Sequence, residues 1–503
     1  MRTLVISDLH LGKAERTDLL RRADLREPLL AALADADRLV ILGDGLELRE
    51  AAHRDAVDVA GQLGRVALGV LAQLEPVAED HEPFDAGDRL EQRRAQLGAA
   101  EQVRALLGAE VEIGDDERRH LFGRLGSAPV TAGPGPLDGL LVADFSRVLA
   151  GPFAAMTLGD LGADVIKVER PEAGDDTRHW GPPWRDGEST YYLGLNRNKR
   201  SVALDLGDEG DRELARELGS RADVLIESFR PGLFASWGLD GDTLRAAGNP
   251  RLVSCSITAF GSSERAAGLP GYDLLLQAMG GLMSVTGEAG GAPVKVGAAV
   301  VDLVCGLLAV AGIEAALVER ERTGAGRHVE VSLLDSVLTS LLNQGSGWVS
   351  AGERPQRRGN RHPSIAPYET YEAADRPFAV ACGNDRLFAR LCEAIGLPDL
   401  PTDERFASNT ARVAHIGELG DALEAVFTTQ PAAHWVEVLR AANVPVGPIN
   451  DVAEAYAMAE ELGLEPVLEA DGVPLARPAV GSLRRRPPRL DEHGDDILEW
   501  LRS

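Results

Sequence analysis

The sequence predicts an α/β protein built on a largely parallel, doubly wound sheet, and three observations carry that reading. From "GLLVADF" onward, short apolar runs alternate with helical stretches, the pattern of strands joined by crossover helices. A long apolar helix is expected from about Leu303 to Arg322, stopped at "TGAG" before a last strand, "RHVEVSL". A Gly/Pro-rich break, "GSAPVTAGPGP" at 126–136, separates this region from an N-terminal portion of different character.

Composition narrows the function. The 503 residues include 79 Asp and Glu against 52 Lys and Arg, a net charge of −27. Such a surface argues against binding nucleic acid or anionic lipid, though not against a local basic pocket. The N-terminus, "MRTLVISDLHLG", lacks the basic and apolar regions of a signal peptide. The most apolar run, around 296–317, carries Asp302 and Glu314 and makes a poor membrane span. Four cysteines without metal-like spacing read as reduced, buried thiols, and a cytoplasmic protein is expected.

Taken in order, residues 1–70 open with a strand, "RTLVISD", and continue through a helical stretch to a second strand, "DRLVILGD". Residues 71–125 read as helices without a clear site. Beyond the 126–136 linker, "GLLVADF", "ADVIKVERP", "RSVALDL", "DVLIESF" and "PRLVSCSI" are strands, with a helix at "DRELARELGSRA". Residues 137–354 thus form a large domain. A smaller one, 355–450, has helices at "NDRLFARLCEAIG" and "AAHWVEVLRAA" and Pro-bearing turns. Residues 451–503 form the C-terminal segment.

Asp8, His10 and Asp44, each at a strand end, suit a divalent metal. This stretch resembles the start of the calcineurin-like metallophosphoesterases, whose pattern begins D-x-H and then GD. The segments that would complete the family's two-metal site are absent, so half a site remains and hydrolysis is not expected. The reading is a truncated module.

Asp302 is the more telling residue. It is the one carboxylate in "GAAVVDLVCGLLAVAG", where an ionised group is costly unless paired. Its place at the predicted helix start suggests an N-cap, with backbone amides and the helix dipole favouring the ionised form. Its apolar neighbours suggest instead a desolvated nucleophile toward an activated acyl group. Basic clusters at "NRNKRS" and "IKVERP" are candidate phosphate contacts.

From about Leu137 to Leu501 the chain resembles the class III CoA-transferases (the formyl-CoA transferase, or CaiB/BaiF, family). The resemblance rests on "LDGLLVADFSRVLAGPFAAMTLGDLGADVIKVERPEAGDDTR", "LNRNKRSVALDL", "ADVLIESFRPG", "GYDLLLQAMGGLMSVTG", the stretch around Asp302, and "VPVGPINDVAEA". It implies a Rossmann-like large domain, closed by the C-terminal segment, with a smaller α+β domain inserted. It also implies acyl-CoA and small carboxylic acids as substrates, and an interlocked homodimer.

Asp302 occupies the position of the family's catalytic aspartate, and Asp273 that of a second acidic residue implicated in catalysis; a helix N-cap is the competing reading of Asp273. The loop Arg147–Ala150, including Leu149, should lie along the pantetheine. Arg170 should lie near the adenosine phosphates, and Leu204 and Phe229 near the adenine. Lys199 and Arg200 match a recurrent family motif. The resemblance implies transfer through an aspartyl anhydride and an aspartyl-CoA thioester.

Leu149 and Ser236 depart from formyl-CoA transferase, which argues against oxalate and formate; "GNRHPSIAPYETY" points to dicarboxylates such as succinate. One alternative is a 2-methylacyl-CoA racemase, whose second base is a histidine where this chain has Tyr272. Another is a bifunctional protein with a metal-dependent phosphoesterase domain.

Overall fold

The computed structural model describes residues 135–503 together with two N-terminal strands, β1 (Thr3–Ser7) and β2 (Arg38–Leu42). These are two of the runs expected as strands, and they pair in parallel with Val5 opposite Val40. Asp8, His10 and Asp44, and the rest of the 1–125 segment, lie outside the described residues. Contacts divide the chain into two units, Met1–Gly123 and Arg124–Ser503.

In the second unit, six strands form one sheet: β3 (Leu141–Phe145), β4 (Asp164–Glu169), β5 (Lys199–Ala203), β6 (Val224–Glu227), β7 (Val253–Thr258) and β8 (His328–Ser332). Their spatial order is β8-β7-β6-β3-β4-β5, and every neighbouring pair is parallel. The chain starts in the middle at β3, winds outward to β5, then returns to β6 on the other side of β3. That reversal opens a crevice at the C-terminal ends of the central strands, where open α/β sheets take ligands.

Alternation along the strands sends Val142, Val165, Val224 and Cys255 into one apolar layer and Ala143, Ile166, Val202 and Leu225 into another. Helices α1 (Ala150–Asp160), α2 (Thr190–Leu195), α3 (Glu209–Arg221), α4 (Asp273–Met279) and α5 (Val300–Thr323) are interleaved with the strands. Ala154, Ala155 and Leu158 of α1 share the first layer with Cys305, Ala309 and Ile313 of α5. Ala215 and Leu218 of α3 fill the second.

The long apolar helix begins three residues earlier than its predicted start at Leu303. Ala299 is the N-cap, without a side-chain cap, and Asp302 is the third residue of the first turn. The expected stop holds: Gly324 ends α5 at φ +75°, a left-handed conformation that a residue without Cβ adopts freely.

After β8, α6 (Leu333–Ser340) and α7 (Leu342–Ala351) lead into a separate core. There an antiparallel sheet of β9 (Tyr368–Tyr371), β10 (Phe378–Ala381) and β11 (Val446–Pro448) packs with α8 (Asp385–Ala394), α9 (Ile416–Phe427) and α10 (Ala432–Ala441). The chain then returns to the large sheet. Asn198 Oδ1 accepts from the backbone amides of Arg484 and Arg485 at 2.7 and 2.9 Å, and Ile497 and Leu501 of the last helix, α11 (Gly494–Arg502), join the α3 layer.

Gly306 sets how closely α1 and α5 approach. A Cβ there would lie 2.7 Å from the Ala150 carbonyl oxygen and 2.9 Å from Phe153 Cδ1. Helix propensity favours Ala over Gly by about 1 kcal/mol. Overpacking against a backbone atom costs about 1–3 kcal/mol. Gly306→Ala is therefore expected to lower the melting temperature despite the better helix former; calorimetry showing an unchanged or higher value would refute the close-approach argument.

Candidate active site

The site is built where α4 meets the first turn of α5. Asp273 does not cap its own helix, whose N-cap is Tyr272. Its Oδ1 instead accepts the backbone amides of Val301 and Asp302, at 2.9 and 3.3 Å, so it caps α5 from across the site. Gln277 Nε2 donates to its Oδ2 at 2.6 Å and fixes the carboxylate.

This arrangement overturns the expectation that helix amides hold Asp302 ionised. The Val300 and Leu303 amides donate to Ala298 and Ala299 carbonyls, and the two between them are taken by Asp273. Asp302 is 9% exposed, and among the described residues no donor reaches its carboxylate. Burial, and then the nearby Asp273 charge, push its pKa up to about 7. The phenol of Tyr191 shares this space: burial and the charges of Asp302, Asp273 and Asp175 push it to about 12. Its ring packs edge-on against Trp180 at 5.3 Å.

A crevice of about 180 Å³ opens at the C-terminal strand ends, lined by Ser146, Arg147, Arg170, Asp175, Leu204 and Phe229, among others. Phe229 is stacked on Phe234 at 5.4 Å and abuts Trp237 edge-on, with the Arg147 guanidinium 5.9 Å from its ring centre. Arg147 and Arg170 share one partner, the half-exposed Asp176, at 3.6 and 2.6 Å. The loop from Ser146 to Ala150 joins this crevice to Asp302, because Ala150 lies against Gly306, one turn beyond the aspartate.

The structure thus gathers Arg147, Arg170, Leu204 and Phe229 at one crevice, and sets Asp273 beside Asp302. Leu149 and Ala150 are buried at the start of α1. Lys199 and Arg200 are placed elsewhere. The Lys199 side chain is fully buried on Asp144, and Arg200 pairs with Asp164 at the N-terminal ends of β5 and β4, away from the crevice. Sequence reasoning missed Asp144, Asp175 and Tyr191. Asp144 carried the same signal as Asp302, a carboxylate inside an apolar run.

Among the described residues no group of His, Cys, Asp and Glu is placed to hold a metal ion. All four cysteines are free and buried.

A buried carboxylate with a raised pKa favours the protonated folded state, so stability declines as pH rises from the ordinary Asp range through about 7. Asp302→Asn, neutral throughout, is expected to melt higher than wild type at pH ~8, with the gap closing toward pH ~5. A pH-independent difference would show that Asp302 is not the desolvated group described.

Residues 137–493 match the model of CoA-transferase family III. Acetyl-CoA:oxalate CoA-transferase of Acetobacter aceti is 44% identical over 72% of this chain and 94% of its own length. Succinate–glutarate CoA-transferase of Agrobacterium fabrum is 42% identical over 73% and 96%. A CaiB/BaiF family protein from Brucella suis superposes with a TM-score of 0.66 at 42% identity, over 73% of this chain and all of that one. The chain is a family III CoA-transferase.

Proposed function

We propose that this CoA-transferase moves CoA from a short acyl-CoA to a dicarboxylic acid through covalent intermediates on Asp302. The observation that carries the reading is the buried Asp302 carboxylate, to which no described residue donates, connected through α1 and the Ser146–Ala150 loop to the crevice at the strand ends. A carboxylate tied up by helix amides would be a poorer nucleophile; this one keeps its lone pairs.

In the proposed reaction, an Asp302 oxygen attacks the thioester carbon of the donor, the C–S bond breaks, and an anhydride and CoA thiolate form. The thiolate attacks the Asp302 carbonyl carbon, giving an aspartyl-CoA thioester and the donor acid. The acceptor carboxylate attacks that thioester and releases thiolate with a second anhydride. Attack of the thiolate on the acceptor acyl carbon restores Asp302 and forms the new acyl-CoA. The first amides of α5 are occupied, so donors for the tetrahedral oxyanions come from elsewhere. Phe229 and Leu204 are read as the adenine platform, Arg170 as the phosphate contact, exchanging Asp176 for phosphate, and Arg147 as the head of the loop along the pantetheine.

The dicarboxylate class is supported by the relatives, named for oxalate, succinate and glutarate. Leu149 and Ser236 differ from formyl-CoA transferase, yet a 44% identical relative is named for oxalate, so oxalate belongs to the proposed class. The strand order and the two flanking apolar layers support the doubly wound, Rossmann-like reading. Exposed apolar side chains on α5, α6 and α7, among them Leu307, Val318, Leu338, Leu342, Trp348 and Val349, support a homodimer that covers them. With unpaired thiols, the cytoplasm is its proposed location.

Incubation with acetyl-CoA or succinyl-CoA and hydroxylamine is expected to yield a hydroxamate on Asp302, absent from Asp302→Ala. Its rate should rise with pH through about 7, as the carboxylate ionises. Absence of the adduct with both donors, or an adduct elsewhere, would overturn the mechanism. Light scattering should give about twice the 53.5 kDa chain mass; a monomer would refute the dimer.

A further inference from the structure

Beneath the crevice lies a set of charges that no proposed step uses. The pleat places Asp144 of β3, Lys167 of β4 and Lys199 of β5 on the α1 side of the sheet, with Asp144 and Lys167 in register across the β3–β4 pair. The two pairs, Lys199 with Asp144 and Lys167 with Asp175, are each 2.9 Å apart, and their side chains are at most 1% exposed. Buried ion pairs are poor evidence of stability, since apolar residues of like volume often serve as well. The geometry gives these another use.

Several of their contacts converge on the loop after β3 and the first turn of α1. Asp144 Oδ1 accepts both the amide and the hydroxyl of Ser146. Lys167 Nζ donates to the Ser146 carbonyl oxygen at 3.1 Å, and Asp175 Oδ2 accepts the Val148 amide at 3.3 Å. Lys199 Nζ spends its three donors on Asp144, on the Pro152 carbonyl in the first turn of α1, and on Asn196 Oδ1, at 2.9, 2.9 and 3.0 Å. Held between them is Val148, a β-branched residue at φ +72°. Such a conformation persists only where its surroundings over-determine it.

We propose that the Asp144–Lys199 and Lys167–Asp175 pairs are positioning residues that hold the Ser146–Leu149 loop in the conformation that receives acyl-CoA, and so set its affinity. This rests on the reading that acyl-CoA lies along that loop. Lys199 is the part of the clamp that pH can release. Burial and the Lys167 charge lower its pKa to about 8, against Asp144 and Asp175, the carboxylates facing it from β3 and from the loop after β4. Once neutral it keeps two donors for three acceptors.

The test is calorimetric titration of the full chain with S-propyl-CoA, a thioether with no titrating thiol and no reactive carbonyl. Wild type is expected to bind about five- to tenfold more weakly at pH ~9.5 than at pH ~7. Ser146→Ala should weaken binding about fivefold while keeping the pH dependence. Lys199→Met should bind weakly with no pH dependence. Should that variant not fold, Ser146→Ala decides together with the pH profile of Asp302→Asn, which removes the other group titrating in this range and should keep the loss of affinity at high pH. Wild-type affinity flat across this range, or Ser146→Ala binding as wild type does, overturns the clamp and leaves the crevice reading intact. No binding by wild type at pH ~7 overturns both.

Discussion

The chemistry proposed here depends on one electrostatic constraint: Asp302 is buried at a helix N-terminus whose amides are already taken. Ordinarily such a position offers a carboxylate donors and a favourable dipole, and both depress its pKa. Here Asp273 reaches across from α4 and accepts the amides of Val301 and Asp302. The dipole is answered by one carboxylate, and the other is left desolvated beside a like charge. The result is a group near pKa 7, more basic than a surface aspartate yet substantially ionised at neutral pH. That balance suits a nucleophile that must also leave again as an acyl carrier.

The sheet delivers the other half of the site. Because the winding reverses at β3, the loop after this central strand faces open space between strand ends, while its far end starts α1. α1 lies against α5 at Gly306, so the loop bridges crevice and aspartate. The closeness is bought with small side chains, Gly306 on α5 and Ala150, Gly151, Ala154 and Ala155 on α1.

Much of this was legible in the residues. The six strands of the large sheet appear where alternation and β-branched runs placed them, and α5 stops at Gly324 as "TGAG" required. Asp302 drew notice because an acid in an apolar run needs a reason. The same logic, applied to Asp144 in "LLVADF" and Lys167 in "DVIKVE", would have found the buried pairs. What local pattern could not give was partnership. Asp273 looked like the cap of its own helix, yet caps α5, 28 residues on. Lys199 and Arg200 are adjacent and alike in charge, but a strand turns consecutive side chains to opposite faces. One therefore enters the core and the other meets Asp164 at the sheet's far end.

That partition bears on why lysines and aspartates persist under the loop at all. An apolar layer of similar volume would hold β3, β4 and β5 together equally well, since desolvation consumes most of what each ion pair returns. It could not specify where Ser146 and Val148 sit, because apolar packing has no direction. Hydrogen bonds do. Each polar group here has its partner: Asp175 alone accepts from Lys167, Val148, and the amide and hydroxyl of Thr177. A fully satisfied network defines one geometry, and a half-satisfied one would be worse than none. The left-handed Val148 belongs to the same logic, because a strained residue in a loop stays strained only if every alternative breaks a buried bond. The charges are thus best understood as fixing a shape, and the shape as what an extended thiol arm needs in order to meet a buried carboxylate to which no described residue donates.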